Sequence, residues 1–403
     1  MKNLRNKKIL LIICGGIAAY KSLELIRILK KNSCHIKTIL TKGAMEFITP
    51  LSVSSLSNEK VFLDLFDFKN EAEMDHITLS RWADVIVFAP ATANKIAQLS
   101  NGLAEDLATT VALASNKDIY LVPAMNVRMW ENKITRTNLQ KLIYSGYKII
   151  GPDIGEMACG EYGEGKFSDT TKVLKIIDSY FKILEENKDF KALITAGPTR
   201  EYIDPVRFIT NRSSGKQGYA IADELQKNGF ETTLISGPTN LKSPEGVKIF
   251  NVNSADEMYE KTIENLPVDV AIFTAAVSDF RAKQINIEKI KKESFDKIEI
   301  VKTKDILDYT SKHNKLRPKL VIGFAAETNN LDKNSKNKLI EKNCDWIVAN
   351  DISNKQIGFD SEYNEVKIFQ RNKPNIENIS ITTKEMIAKK LVEKISSELK
   401  ANG

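Results

Sequence analysis

The chain has 403 residues, 42% of them hydrophobic and 28% charged, which suits a soluble globular protein of two domains better than one with a single core. Lys and Arg outnumber Asp and Glu by 59 to 52, but the resulting +7 is spread along the whole length without a block of like charge, which argues against nucleic acid as a partner. The four cysteines (Cys14, Cys34, Cys159, Cys344) are far apart and lie near no His cluster, so neither a disulfide scaffold nor a zinc site is expected. The first apolar run is too short for a membrane span and no secretory signal is visible, so a cytoplasmic protein without membrane contact is expected.

Residues 9–13 are continuously apolar, as in a strand buried on both faces of a parallel sheet. The Gly15-Gly16 turn then opens a helix, and a second strand follows. Glycines let the backbone approach a phosphate, and a helix start offers free N–H groups. The pattern is not Gly-x-Gly-x-x-Gly, because the third glycine is missing. His76 lies near the start of a short helix that leads to a strand at 85–89. The loop after that strand carries Thr92, Asn94, Ser100 and Asn101 as hydrogen-bonding groups.

A third apolar strand, 119–122, runs directly into Pro-Ala-Met-Asn-Val-Arg-Met-Trp at 123–130. A surface turn would prefer Gly, Asp or Ser, and a core segment would not carry Asn126 and Arg128 so close together. The stretch therefore reads as a partly buried loop that touches something flat and polar-edged. Loops 15–21, 89–106 and 123–130 all belong at the carboxyl ends of parallel strands, where open α/β sheets take ligands. Cys159 sits in a glycine-rich, charged stretch, 157–169, which reads as a mobile loop with an exposed thiol.

An amphipathic helix at 173–191 ends in a polar stretch, which places the boundary within 185–189 and the domains at 1–187 and 188–403. The second half repeats the plan: strand, Gly-Pro loop, helix, strand. Ser213, Ser214, Gly215 and Lys216 at a helix start form a candidate phosphate cradle that lacks Walker A spacing. The stretch 273–280 ends a strand in small residues (Thr274, Ala275, Ala276) before Asp279, and 288–292 is a basic turn. A late helix precedes a strand at 346–349, and an amphipathic helix closes the chain. Strands alternating with helices predict a Rossmann-like α/β layer with a mainly parallel sheet in each half.

Four motifs in the first half, GGIAAYK, DHITLSRWAD, PAMNVRMW and ACGEYGEGK, resemble the homo-oligomeric flavin-containing cysteine decarboxylases, in particular those acting on phosphopantothenoylcysteine, over about residues 5–170. The resemblance implies a flavodoxin-like fold and FMN as cofactor. It implies FMN contacts at Gly15, Gly16, Ile17, Ala18, Thr41, Pro90, Thr92, Ser100, Asn101 and Met125. Asn126 would orient the substrate carboxylate, and Cys159 would donate a proton. His76 would act in the oxidation step or hold the substrate. Arg81 is either a clamp for the substrate phosphate or a surface salt bridge. The family usually has Arg where this chain has Lys166, which is cationic but not bidentate.

The second half is similar, over about residues 190–395, to bacterial phosphopantothenate–cysteine ligases that use CTP. The motifs are AGPTREYIDPVR, NRSSGKQG, TAAVSDF, KIKK, GFAAET and DWIVAND. By that resemblance CTP is contacted at Thr274, Ala275, Ala276, Asp279, Lys289, Phe324, Lys338 and Lys342, and through Asp305, Ile306 and Leu307. Asn211 assists turnover of an acyl intermediate and Lys289 stabilises charge at the α-phosphate. Mg2+ accompanies the nucleotide, with Asp279 as its candidate ligand. Lys304 stands where the family has Pro. The expected partners are 4'-phosphopantothenate, cysteine and CTP. The expected assembly is a homo-oligomer, with a trimeric or dodecameric decarboxylase core and ligase dimers.

Three rival readings remain at this stage: a decarboxylase of peptidyl cysteine with an unrelated partner domain, a non-catalytic flavin-binding protein, and an NAD-dependent oxidoreductase. The nucleotide lysines oppose the first, the retention of His76, Asn126 and Cys159 opposes the second, and only a loose glycine pattern supports the third.

Overall fold

The computed structural model describes residues 1–63, 75–291, 297–353 and 361–401. The chain divides into two compact units, Met1–Lys182 and Ile183–Gly403. Among the described residues no helix is long and apolar enough to cross a membrane.

In the first unit, β1 (Lys8–Ile13), β2 (His35–Leu40), β3 (Val61–Phe62), β4 (Val85–Ala91), β5 (Ile119–Pro123) and β6 (Lys148–Ile149) form a parallel sheet in the order β3-β2-β1-β4-β5-β6. The order reverses between β1 and β4, so a crevice opens beyond their carboxyl ends. Residues 9–13 and 85–91 are buried along their whole length, which explains their unbroken apolar sequence: helices cover both faces. Those helices are α1 (Tyr20–Lys31), α2 (Lys42–Met45), α3 (Pro50–Ser57), α4 (Asp75–Trp82), α5 (Ala93–Ser100), α6 (Leu107–Leu113), α7 (Val127–Glu131) and α8 (Lys133–Tyr144). On one face Ile96, Leu99, Leu139 and Leu142 of α5 and α8 pack against Phe88 and Leu121.

The segment around Cys159 is more ordered than its glycine content predicts. Strands β7 (Asp153–Glu156) and β8 (Tyr162–Lys166) pair antiparallel, and Cys159 lies in the turn between them. Helix α9 (Thr170–Asn187) follows.

The second unit holds β9 (Lys191–Ala196), β10 (Arg200–Tyr202), β11 (Phe208–Thr210), β12 (Glu231–Ser236), β13 (Lys248–Asn251), β14 (Val270–Phe273), β15 (Phe280–Ala282), β16 (Ile300–Lys302), β17 (Leu320–Glu327), β18 (Trp346–Asp351), β19 (Tyr363–Gln370) and β20 (Lys373–Thr383). The main sheet runs β13-β12-β9-β14-β17-β18-β19-β20, parallel as far as β18 and antiparallel thereafter. Two small antiparallel pairs, β10 with β11 and β15 with β16, stand apart from it. Its helices are α10 (Lys216–Lys227), α11 (Ala255–Glu264), α12 (Ile306–Lys312), α13 (Leu331–Glu341) and α14 (Lys384–Ala401). Leu225 of α10 and Leu391 of α14 share one core, while Met258, Ile306 and Leu339 of α11, α12 and α13 share the other, so the sheet is covered on both faces. Both units are thus α/β layers with mainly parallel sheets, as the strand–helix alternation predicts.

Candidate functional sites

In the first unit a cleft of about 960 Å³ opens beyond the carboxyl ends of β1, β2 and β4. Gly15 and Gly16, Thr41 and Thr92 line it, as expected from the sequence. Gly15 has no room for a side chain, since a Cβ there would lie 2.9 Å from the backbone of Gly43. The short 3-10 turn Ile17–Ala19 begins without a side-chain cap, leaving its first N–H groups to be met from outside the helix. Thr92 caps α5 by accepting from Lys95 N–H at 3.2 Å.

Other expected FMN contacts fall outside the cleft lining. Ile17 is exposed, and Pro90 lies within β4, where its carbonyl accepts from Cys14 N–H at 3.3 Å. Ser100 and Asn101, at the end of α5, both bond back to Ala97 O, at 3.0 and 2.8 Å. Sequence reading missed Lys95, Gln98 and Asp106, which also line the cleft. Lys95 is only 5% exposed, and its ammonium lies 2.5 Å from the Asp106 carboxylate. A lysine one position past an unremarkable Thr-Ala-Asn carries no sequence signal of burial, since Lys is rarely buried unless paired.

A second group of expected residues meets at the tip of the β7–β8 hairpin. The Asn126 amide nitrogen lies 3.6 Å from Cys159 Sγ and also donates to the Glu161 carboxylate. Asn126 Oδ1 accepts from Arg128 N–H at 2.7 Å, capping α7 and turning the NH2 end of the amide toward the thiol. The loop and hairpin are joined by a backbone bond from Met125 N to Gly165 O at 3.0 Å. Trp130 adds a bond from its indole to Glu164 at 2.7 Å and stacks under the Arg136 guanidinium, 4.2 Å from the ring centre. The buried indole and the exposed Asn126–Cys159 pair together explain the mixed composition of 123–130. Cys159 is the exposed thiol of the four cysteines; the others are buried. His76, half-buried, and Arg81, exposed, both belong to α4 and appear neither in the cleft lining nor among the hydrogen-bond partners of Asn126 and Cys159.

In the second unit a cavity of about 930 Å³ follows the carboxyl edge of the sheet. The expected nucleotide contacts Thr274, Ala275, Ala276 and Asp279 line it, joined by Asn211, whose amide donates to Val277 O at 2.9 Å. Asp305, Ile306 and Leu307 at the start of α12 and Phe324 of β17 form another wall. Lys338 donates to Phe324 O at 3.2 Å, and Lys342 lies 2.8 Å from Asp305 Oδ2. Burial acts to raise the Asp305 carboxyl, but hydrogen bonds from Lys342 and from the Asp308 N–H outweigh it and hold it below its ordinary value. The same hydrogen bond holds the Lys342 ammonium above its ordinary value.

The Ser213–Lys216 cradle also lines this cavity, at the start of α10. Lys289 does not: it is exposed on the loop after β15 and absent from the cavity wall, and Lys292 of the same motif lies outside the described residues. Lys302 and Lys384 line the cavity without having been singled out in the sequence, and Lys304 joins them there. Lys304, in the family's Pro position, lies 4.5 Å from the centre of the Tyr259 ring. Among the described residues no group of three or more His, Cys, Asp or Glu side chains gathers around a metal position.

A family model described as Flavoprotein matches residues 1–182, and one described as DNA/pantothenate metabolism flavoprotein C-terminal domain matches residues 187–399. The chain is 42% identical, over 97% of its length and 98% of the relative's, to the Coenzyme A biosynthesis bifunctional protein CoaBC of Haemophilus influenzae. It is 42% identical to the protein of the same name from Vibrio parahaemolyticus, with 98% of this chain and 99% of that one covered. With the Escherichia coli K12 protein it is 39% identical, covering 98% and 97% of the two chains.

Proposed function

The chain belongs to the family of bifunctional coenzyme A biosynthesis proteins, and from that premise we propose that its two units carry out consecutive reactions. The second unit joins cysteine to 4'-phosphopantothenate through an acyl-cytidylate, converting CTP to CMP and pyrophosphate. The first unit removes CO2 from the cysteine carboxylate of that product and yields 4'-phosphopantetheine. The observation that carries the reading is the pairing of an amide donor with an exposed thiol, Asn126 with Cys159 at 3.6 Å, in a chain whose other unit lines a cavity with lysines.

The first-unit cleft fits FMN. Its size suits a cofactor of that class. The Gly15–Gly16 turn and the uncapped turn after it suit a phosphate. The buried Oε1 of Gln98, which lines the same cleft, has no partner among the described residues. Bound FMN would accept two electrons from the sulfur-bearing carbon and later return them, so that the carboxylate can leave as from a β-keto acid. The protein's own groups do the rest. Asn126 presents its NH2 end to a carboxylate, a position that the Glu161 carboxylate occupies here. Cys159, exposed at the hairpin tip, donates the final proton to carbon. His76 acts in the oxidation or in holding the substrate.

In the ligase unit the carboxylate of pantothenate must be activated before an amine can displace its oxygen. Lys338 and Lys342 hold the nucleotide, and Lys289 contributes from its exposed loop. Asn211 assists turnover of the acyl intermediate. Mg2+ would arrive with the triphosphate, with Asp279 of the cavity lining as its candidate protein ligand, because Mg2+ is usually bound through phosphates and one or two carboxylates. We place both reactions in the cytoplasm, in a homo-oligomer.

Incubation of the protein with 4'-phosphopantothenate, cysteine, CTP and Mg2+, followed by mass spectrometry, tests the whole sequence. The wild-type protein should form 4'-phosphopantetheine. Cys159→Ser should still release CO2 but form that product at least about 100-fold more slowly, the scale of a lost general acid. Normal product formation by the variant would remove Cys159 from its role.

A further inference from the structure

We propose that Lys95 and Asp106 are a compensating charge pair that positions bound FMN and sets its reduction potential, with Gln98 Oε1 accepting a hydrogen bond from the flavin ring. This rests on the FMN reading of the cleft and adds to it the wall that faces the ring.

A lysine this deeply buried is costly unless its charge is met. Asp106 meets it at 2.5 Å, and the carboxylate is itself fixed. It caps α6 by accepting from Thr109 N–H at 3.0 Å and from the Thr109 hydroxyl at 2.8 Å. Burial tends to raise the Asp106 carboxyl, but the Lys95 and Thr109 hydrogen bonds overcome that and keep it ionised. The pair is therefore a rigid dipole rather than two mobile chains. It lies within electrostatic reach of Cys14, at the end of β1, whose thiol is pushed up to about 12 chiefly by burial, with Lys95 acting to lower it and Asp106 to raise it. The dipole thus belongs to the cleft lining near the end of β1, where the strand order reverses.

Gln98, one turn further along α5, donates to Glu105 at 2.8 Å, which leaves its buried Oε1 without a partner among the described residues. A buried acceptor of this kind calls for a donor from the ligand. The ring N–H of a flavin, flanked by two carbonyls, is such a donor. Reduction of the flavin adds electrons to the ring, so a nearby ammonium favours the reduced form and a nearby carboxylate opposes it.

The test uses the full chain loaded with FMN, with midpoint potentials read by dye-coupled titration and FMN affinity by fluorescence. Lys95→Met should lower the potential and Asp106→Asn should raise it. Lys95→Arg should stay near the wild-type value. A merely structural pair would shift nothing, or would shift both variants the same way, and either result overturns the proposal. If either charge variant fails to fold, Gln98→Leu decides. It should weaken FMN binding about tenfold while the apoprotein melts no lower than wild type, because an unpartnered buried polar atom is removed. Unchanged FMN affinity in that variant overturns the proposal. A wild-type protein that binds no FMN would instead overturn the cofactor reading itself.

Discussion

Gly165 shows how much of the candidate site around Asn126 and Cys159 hangs on one hydrogen atom. Its φ is +137°, and a Cβ there would lie 2.4 Å from the Met125 carbonyl oxygen. The close approach holds the hairpin against the loop that carries Asn126. Gly165→Ala should therefore cost about 1–3 kcal/mol of local strain and push the hairpin away. Decarboxylation should fall sharply while pyrophosphate release from CTP is unchanged; equal loss of both activities would point to general unfolding instead. In the other unit, Lys342→Met should raise the KM for CTP about ten- to a hundredfold, the scale of one lost charge-assisted bond, and leave decarboxylation intact. The pH dependence of the same pair has a definite sign. Asp305 is held below its ordinary 3.8, so what it contributes to stability is present above that value and lost as pH falls through the lowered one. Lys342 is held above its ordinary 10.5, so its contribution is lost only as pH rises beyond that. Between pH 4 and pH 2 the melting temperature of the ligase unit should drop less in Asp305→Asn than in wild type.

At the scale of elements, the buried parallel strands were legible because their apolar runs are unbroken, and the amphipathic helices because their periodicity is. What escaped was structure written in other terms. The β7–β8 hairpin is rich in Gly and charged residues, with Ile154 as the one aliphatic side chain of its two strands, and its pairing follows from glycine conformations and from contacts with 123–130 rather than from any apolar alternation. The β19–β20 pair closes the ligase sheet antiparallel, yet β20 contains Lys, Pro, Asn and Glu and is mostly exposed, which hides it as a strand. Among the candidate site residues, glycines, Asn126 and Cys159 stood out by type and spacing, whereas Lys338 of α13 and Lys342 just after it entered through the family resemblance. Lys95 did not stand out, because its meaning comes from its contact with Asp106, eleven residues later in the chain. Lys289 stood out in the sequence, yet its loop lies away from the cavity wall.

For the molecule as a whole, each unit gathers its own candidate site residues, a thiol and an amide in the first and lysines around a cavity in the second. The thiols are sorted the same way. Burial chiefly pushes Cys14 and Cys344 up to about 12 and Cys34 up to about 11, so at neutral pH all three are protonated and shielded. Only Cys159 is open to reagents. A brief treatment of the native protein with iodoacetamide should therefore add a single carbamidomethyl group per chain, abolish 4'-phosphopantetheine formation and spare amide synthesis. Two or more adducts at the moment product formation ceases would mean that the exposed sulfur is not the one that matters.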